Sequence, residues 1–230
     1  SKIATNFEKE ALEWANAITV VSKDAFVYYK KLGLNVYHIP NSIDIDSFPT
    51  KSDRRYKKQI IFAGRLSLEK GIDVLCELIE ILPSDINLII LGSGPKENLI
   101  KNIKKSNVNY LGYLPKNETI SLIRGSDILI QPSLIEGVSS TILEAMACKV
   151  PIITTNVPGC KDIVKDSFNG FLCVPKNIED LALKIDKMIN LSEFERMQYG
   201  ENGRKLMVEN FEEKRFFFLR AREKSFLPDP

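Results

Sequence analysis

The sequence has no C-x-x-C pair. Its four cysteines, Cys76, Cys148, Cys160 and Cys173, are widely spaced. That excludes a zinc ribbon and a disulfide framework, and leaves reduced, buried thiols as the expectation. There is almost no net charge, because 32 basic residues offset 30 acidic ones for a formal +2. Without a domain-wide basic field a chain gains little by releasing counterions from a nucleic acid, so no nucleic-acid partner is expected. No apolar run approaches the roughly 18 residues of a membrane helix. The opening stretch, SKIATNFEKE, carries charges where a signal peptide has its apolar segment, and the initiator methionine is missing. A cytoplasmic chain, membrane-associated at most peripherally and part of something longer, is expected. The single histidine, His38, sits in VYHIP and reads as a structural strand residue.

What is present is ordinary globular material, 44% apolar over 230 residues, enough for one large domain or one and a half ordinary ones. Short β-branched runs alternate with helical patterns. Strands are predicted at 17–21, 36–40, 59–64, 86–91, 108–111, 127–131, 151–155 and 171–174. Helices are predicted near 4–15, 23–32, 71–82, 96–106, 117–124, 141–148, 178–190 and 193–209. Several strands, such as INLIIL and DILIQ, are nearly continuous apolar runs, as strands buried on both faces are. Alternation of this kind predicts an α/β fold with a doubly wound parallel sheet and right-handed crossovers.

A break falls at NSIDIDSFPTKSDRRYKK, residues 41–58, read as a linker. Its cluster Arg54, Arg55, Lys57 and Lys58 is read as solvated, with an anionic-membrane patch as the alternative. The two strands upstream are too few for an independent core. The six downstream suffice for a complete domain.

Open α/β sheets bind ligands beyond the carboxyl ends of their strands. After QIIFAG come Arg65, Glu69, Lys70 and Gly71, and after INLIIL comes GSGP. GYLP follows VNYL, and PSLIEGVSST follows DILIQ. The unusual residues therefore share one edge of one sheet. Arg65 and Lys70 suit a phosphate, one as a planar fork and one as a point charge; a Lys70–Glu69 salt bridge is the alternative. Gly137, Ser139 and Ser140 open the next helix with little side chain, so an anion can approach its free N–H groups. Glu136 and Glu144 have seven residues and no other charge between them. Eight residues of helix rise about 12 Å, a span that lets two carboxylates accept hydroxyls at both ends of a nucleotide sugar. The alternatives are a capping box between Thr141 and Glu144 and a solvated loop position for Glu136.

The segments GRLSLEKGIDVL, LGSGP, LGYLP, SDILIQPSLIEGVSSTILEAMACKVPIITTNVPGCKDIV and NGFLCVP, preceded by IPNSIDIDSF, occur in an order that resembles the retaining nucleotide-sugar glycosyltransferases of family 4. The resemblance covers roughly residues 5–210. It implies a GT-B arrangement, two Rossmann-like domains across a cleft, of which the C-terminal one binds the donor. On that basis residues 1–46 are a remnant of the acceptor domain with its linker, 47–209 the donor domain, and 210–230 a crossover helix and tail. The resemblance assigns Arg65 and Lys70 to the donor diphosphate and Glu136 to the transferred sugar, the three catalytic candidates. It puts Glu144 on the ribose, Tyr113 and Leu114 against the base, and Gly64 with the amides of Gly137, Val138 and Ser139 near phosphate and sugar. The expected partners are a nucleoside-diphosphate sugar such as a UDP- or GDP-sugar and a saccharide or lipid-linked acceptor. Peripheral membrane contact would run through the missing domain, and no cofactor is expected.

Three departures stand out. EGVS replaces the usual E-G-F-G, so Ser139 stands for a glycine. PNS replaces P-N-G, leaving Ser42 to make the turn. Most of the acceptor domain has no counterpart. Asp44 and Asp46 form a D-x-D, but two oxygens at i and i+2 are too few for a metal site, and none is expected. The segment FEEKRFFFLRAREKSF carries Phe216, Phe217 and Phe218 among basic residues, with packing on the acceptor domain or a membrane-surface helix as its readings. Beside the transferase stand a nucleotide-sugar-binding module without catalysis and a related epimerase or phosphorylase.

Overall fold

The structure is a computed structural model that describes residues 10–12 and 14–212. Most of the helix expected over 4–15 and the aromatic-basic segment beyond Glu212 lie outside the described residues. Two parallel sheets are present. The smaller pairs β1 (Ile18–Val20) with β2 (Val36–His38), joined by α1 (Lys23–Lys31). Ser22 caps α1 by accepting the N–H of Ala25 at 3.2 Å. His38 ends β2, and its Nε2 lies 3.2 Å from the carbonyl of Val21, in keeping with a structural role.

The larger sheet holds β3 (Gln59–Ala63), β4 (Asn87–Leu91), β5 (Val108–Gly112), β6 (Ile128–Gln131), β7 (Ile152–Thr155) and β8 (Gly170–Cys173). Their order is β5-β4-β3-β6-β7-β8, all parallel. Between them run α2 (Ile72–Ile81), α3 (Glu97–Lys101), α4 (Lys116–Arg124), α5 (Ser140–Ala147) and α6 (Cys160–Ile163); α7 (Ile178–Ile189) and α8 (Glu193–Phe211) follow. Counted within the sheet this is the 3-2-1-4-5-6 winding of a Rossmann-like fold, whose order reverses between β3 and β6.

Strand alternation explains the two cores. Ile60 and Phe62 of β3 join Leu88, Ile90, Ile128 and Ile130 under α2 and α7. Ile61 and Ala63 join Ile89, Leu91 and Leu129 under α4, α5 and α8. Successive side chains point to opposite faces, and both faces are covered, hence the unbroken apolar runs. Three of the four free cysteines, Cys148, Cys160 and Cys173, are buried, and burial pushes their thiols up to about 11, 11 and 12. Cys76 is half-buried, not buried as expected.

The stretch 41–58 is largely exposed but is pinned to the large domain at two apolar points. Ile43 and Phe48 are buried in the core beneath α5. The N–H of Ile43 donates to the carbonyl of Phe211 at 2.9 Å, which ties the stretch to the end of α8. Arg54 grips Asp127 with contacts of 2.9 and 3.0 Å. Arg55 pairs with Asp53 at 2.8 Å and Lys58 with Asp85 at 2.7 Å. Arg54, Arg55 and Lys57 are exposed, as a solvated cluster is, while Arg54 and Lys58 find carboxylates at the amino ends of strands. Asp44 accepts the N–H of Asp46 at 3.1 Å, an Asx turn in which the D-x-D shapes backbone. Ser42 is not among the residues with positive φ, so the turn there does not require glycine.

Candidate functional site at the sheet switch point

Three loops meet beyond the carboxyl ends of β3, β6 and β7. The loop after β3 contains a short 3-10 turn, Leu68–Lys70, closed by Gly71 at φ 71°. A β-carbon on Gly71 would stand 2.0 Å from the carbonyl oxygen of Pro132. The carbonyl of Glu69 accepts the N–H groups of Leu134 and Ile135 at 2.7 and 3.2 Å. From the other side Gly159, at φ 81°, abuts the same loop, where an added β-carbon would lie 1.4 Å from the carbonyl oxygen of Gly137. Only glycine permits this approach and this φ. The GSGP segment supports the first loop through Leu66 N–H to Ser93 carbonyl and Lys96 N–H to Leu66 carbonyl, both 2.9 Å.

At the junction sits Glu136, its side chain 10% exposed. Its Oε2 accepts from the Lys70 ammonium, from Gln131 Nε2 at 3.2 Å and from Ser133 Oγ at 3.3 Å. No hydrogen bond reaches its Oε1 from the described residues. Lys70 thus pairs with Glu136 and not with its neighbour Glu69, whose carboxyl is held below its usual range chiefly by the Ser67 hydroxyl. That sets aside both the Lys70–Glu69 alternative and the solvated-loop reading of Glu136. Ser139 is 3% exposed and caps α5, accepting the N–H of Ile142 at 3.5 Å and donating to Gln131 Oε1 at 3.2 Å. The serine that stands for a glycine is therefore built into the loop. Val138 is buried, Gly137 is exposed, and the Val138 carbonyl accepts from Asn41 Nδ2 at 2.7 Å.

Arg65 lies exposed on the β3 loop just past Gly64; its charge helps hold the Glu69 carboxyl down, and among the described residues no hydrogen bond or salt bridge engages its guanidinium. Glu144 stands one turn inside α5. Burial pushes its carboxyl up, opposed by the nearby Lys116 ammonium, and among the described residues its carboxylate has no hydrogen-bond partner. Because Ser139 is the cap, Thr141 cannot be one, and the capping-box alternative for Glu144 falls. Tyr113 is 76% exposed and Leu114 half-buried, both past the end of β5, two strands from β3 and so roughly 10 Å across the sheet. The structure therefore joins Lys70, Glu136 and Ser139 in one network, leaves Arg65 free beside it, and sets Glu144 and the Tyr113 loop apart from it. The sequence reading passed over Gln131 and Ser133. The available signal was a polar residue closing the apolar run DILIQ, where a buried amide must find partners.

A second concavity of about 470 Å³ lies between the small sheet and the large one, lined by Val21, His38, Val138, Asp162 and Phe211 among others. Among the described residues no cluster of three or more His, Cys, Asp or Glu side chains could hold a metal ion, and no helix is long and apolar enough to cross a membrane.

Residues 44–206 match the family model described as glycosyl transferases group 1. An uncharacterized glycosyltransferase of Methanocaldococcus jannaschii is 35% identical over 148 residues, which is 63% of this chain and 41% of that protein. Sucrose-phosphate synthase of Thermosynechococcus elongatus superposes with a TM-score of 0.83 at 21% identity, over 96% of this chain and 61% of that one. HepE of Anabaena, solved in complex with UDP and glucose, gives 0.81 at 19% identity, over 94% and 65%. At such identities the likeness concerns the fold. The chain spans about half the length of the curated relatives it matches.

Proposed function

The chain belongs to the family of glycosyl transferases group 1, and from that premise we propose that it is the donor-binding part of a retaining glycosyltransferase that takes a nucleoside-diphosphate sugar. The observation that carries the proposal is the state of Glu136. Among the described residues one oxygen collects three donors and the other receives none, in the loop that opens α5. A carboxylate held this way accepts a sugar hydroxyl at Oε1 without reorganising. Lys70 and Arg65 stabilise the diphosphate as it leaves, and the first N–H groups of α5 add the positive end of a helix dipole. Glu144 accepts the ribose diol, and the Tyr113–Leu114 loop flanks the base. The UDP and glucose bound by HepE, a protein of the same fold, support this ligand class. Departure of the diphosphate and attack by an acceptor hydroxyl on the same face of the sugar retain the anomeric configuration. The hydroxyl, from a saccharide or a lipid-linked glycan, is positioned by parts of the cleft beyond this chain, as is any contact with a membrane surface. No metal or cofactor enters the reading, since the cations that meet the diphosphate are side chains.

The alternative is a binding module that holds the same donor and transfers nothing. Both readings require donor binding. Titration with UDP, GDP and ADP, with and without a chelator, tests it. One of the three is expected to raise the melting temperature and to do so equally in chelator. At about 100 times its dissociation constant a ligand adds roughly 2.7 kcal/mol of stability, about 5–11 °C for a domain of this size. A flat melt with all three at millimolar concentration overturns the donor site, and loss of the shift in chelator overturns its metal independence.

A further inference from the structure

Gln131 is 1% exposed and closes β6 at the reversal of strand order. Its backbone is fixed in the ladder to β7, and its carbonyl accepts the Thr154 hydroxyl at 2.7 Å. Its side-chain amide faces two ways: Nε2 donates to Glu136 Oε2 at 3.2 Å, and Oε1 accepts from Ser139 Oγ at 3.2 Å. We infer that Gln131 is a positioning residue which, by spanning Glu136 and the cap of α5, fixes which carboxylate oxygen of Glu136 is presented to a ligand hydroxyl. The inference rests on the donor-site reading above and deepens it.

Donors and acceptors fix the orientation of the amide. The amide has one acceptor end and one donor end. Ser139 takes the N–H of Ile142 with its lone pairs, so its own proton is committed to Gln131 Oε1. The amide nitrogen is then left to meet Glu136. A flipped amide would set its oxygen against the carboxylate and leave both without a proton between them, so the ionised Glu136 selects the orientation seen. Lys70 alone does not fix the carboxylate, because an ammonium on a flexible stem follows either oxygen. Ser133 and Gln131 are neutral donors on short, buried tethers. Together with Lys70 they occupy Oε2 and leave Oε1 without a hydrogen bond from the described residues. Remove Gln131, and Lys70 can draw both oxygens towards itself. The anion seat at α5 would survive, and the sugar contact would be lost.

The test compares UDP with UDP-glucose, GDP with GDP-mannose and ADP with ADP-glucose by titration calorimetry on the full chain. The quantity read is the ratio of sugar-nucleotide affinity to nucleoside-diphosphate affinity. Gln131→Met keeps the length and removes both hydrogen bonds. The ratio is expected to fall about tenfold, the scale of one hydrogen bond to a charged group, while diphosphate affinity changes less than about threefold. Glu136→Gln should lower the ratio by as much, and the double variant no further. Gln131→Glu supplies a second readout that does not depend on the apolar variant folding well. It sets a carboxyl against Glu136 with Lys70 on the loop after β3 and the Cys160 thiol on α6 as the other facing titratable groups; the thiol, pushed up to about 11, stays protonated. Two carboxylates sharing one site cannot both ionise easily. Its ratio should therefore be low at pH 8 and recover as the pH falls and a proton restores the donor, while the wild-type ratio stays flat. If Glu136→Gln lowers the ratio and both Gln131 variants leave it unchanged at every pH, the positioning role is overturned and the donor reading stands. If Glu136→Gln leaves the ratio unchanged, or none of the three diphosphates binds the wild type, both fall together.

Discussion

The two edges of the large sheet treat charge in opposite ways. At the amino ends of the strands, charges close on one another. Asp127, its side chain 7% exposed, accepts two contacts from Arg54 and one from the N–H of Gln59 at 2.9 Å. Lys58 meets Asp85 at 2.7 Å. At the carboxyl ends, charge is left open. Among the described residues Arg65 has no hydrogen bond or salt bridge, Glu144 is desolvated with no hydrogen bond, and Glu136 uses one oxygen of two. Burying a charge without a partner costs stability. A fold that pairs Asp127 and Asp85 with cations at one edge and leaves Glu136 half-used and Glu144 unpaired at the other has a reason other than stability for the second. The contrast makes separable predictions, since changes at the closed edge should register in stability and changes at the open edge in binding.

The largest effect is expected at the closed edge. Asp127→Ala removes the acceptor shared by Arg54 and the Gln59 amide. The buried amide loses its partner outright, whereas Arg54, partly exposed, turns to water. A loss of about 2–3 kcal/mol in urea unfolding follows, with nucleoside-diphosphate affinity unchanged once the folded fraction is allowed for. A variant that lost binding and kept its stability would break the contrast.

Next comes a pair at the open edge that should differ from each other. Arg65→Ala removes an exposed cation with no bonded partner, so stability should move by less than about 0.5 kcal/mol, while diphosphate affinity drops by about 1.5–3 kcal/mol. Lys70→Ala should cost comparable affinity and also destabilise the protein, because it strips the ion pair from a largely buried Glu136. Chemical denaturation and calorimetry on both variants check this. Equal stability losses would mean that Arg65 has a structural partner in solution.

The fold was legible because strand alternation and unbroken apolar runs are local signals. Six strands of the large sheet lie within a residue or so of their predicted spans. The short helix at Cys160–Ile163 was not legible, being one turn without periodicity. Most site candidates could be named because polar residues clustered after strand ends. Which of them bond to which could not be read. Lys70 is adjacent to Glu69 in sequence, yet it reaches 66 residues away to Glu136, a choice made by the packing of two loops against each other. Gln131 was hidden for the same reason, since one glutamine at the end of an apolar run has a role only when the fold brings Ser139 and Glu136 to its two ends. The ion pairs of Arg54 and Lys58 were not legible because their carboxylates, Asp127 and Asp85, lie on distant turns.

The smallest expected effect on stability, and the one that discriminates best, belongs to Glu144. Burial raises its carboxyl above the usual 4.5, and the Lys116 ammonium only partly offsets this. A raised carboxyl means the native state holds its proton more tightly than the unfolded chain does. Between the ordinary value and the raised one, the native state binds more protons, so stability falls as pH rises through that window and the penalty is complete above it. Glu144→Gln removes the charge and keeps the shape. Its stability at pH 7 should equal or slightly exceed that of the wild type. On acidification the two should converge, because protonation relieves the wild type of the same penalty. Ribonucleotides should nevertheless bind the variant less well than they bind the wild type, and 2′,3′-dideoxy analogues should bind both alike, since only a ribose presents the diol. Melting curves from pH 4 to 8, set beside titrations with both nucleotide classes, decide the matter. A variant less stable than the wild type at neutral pH would mean that Glu144 has a structural partner, and would place it with the closed edge. A stable variant that still prefers ribonucleotides as the wild type does would leave its unpaired charge without the ligand that justifies it.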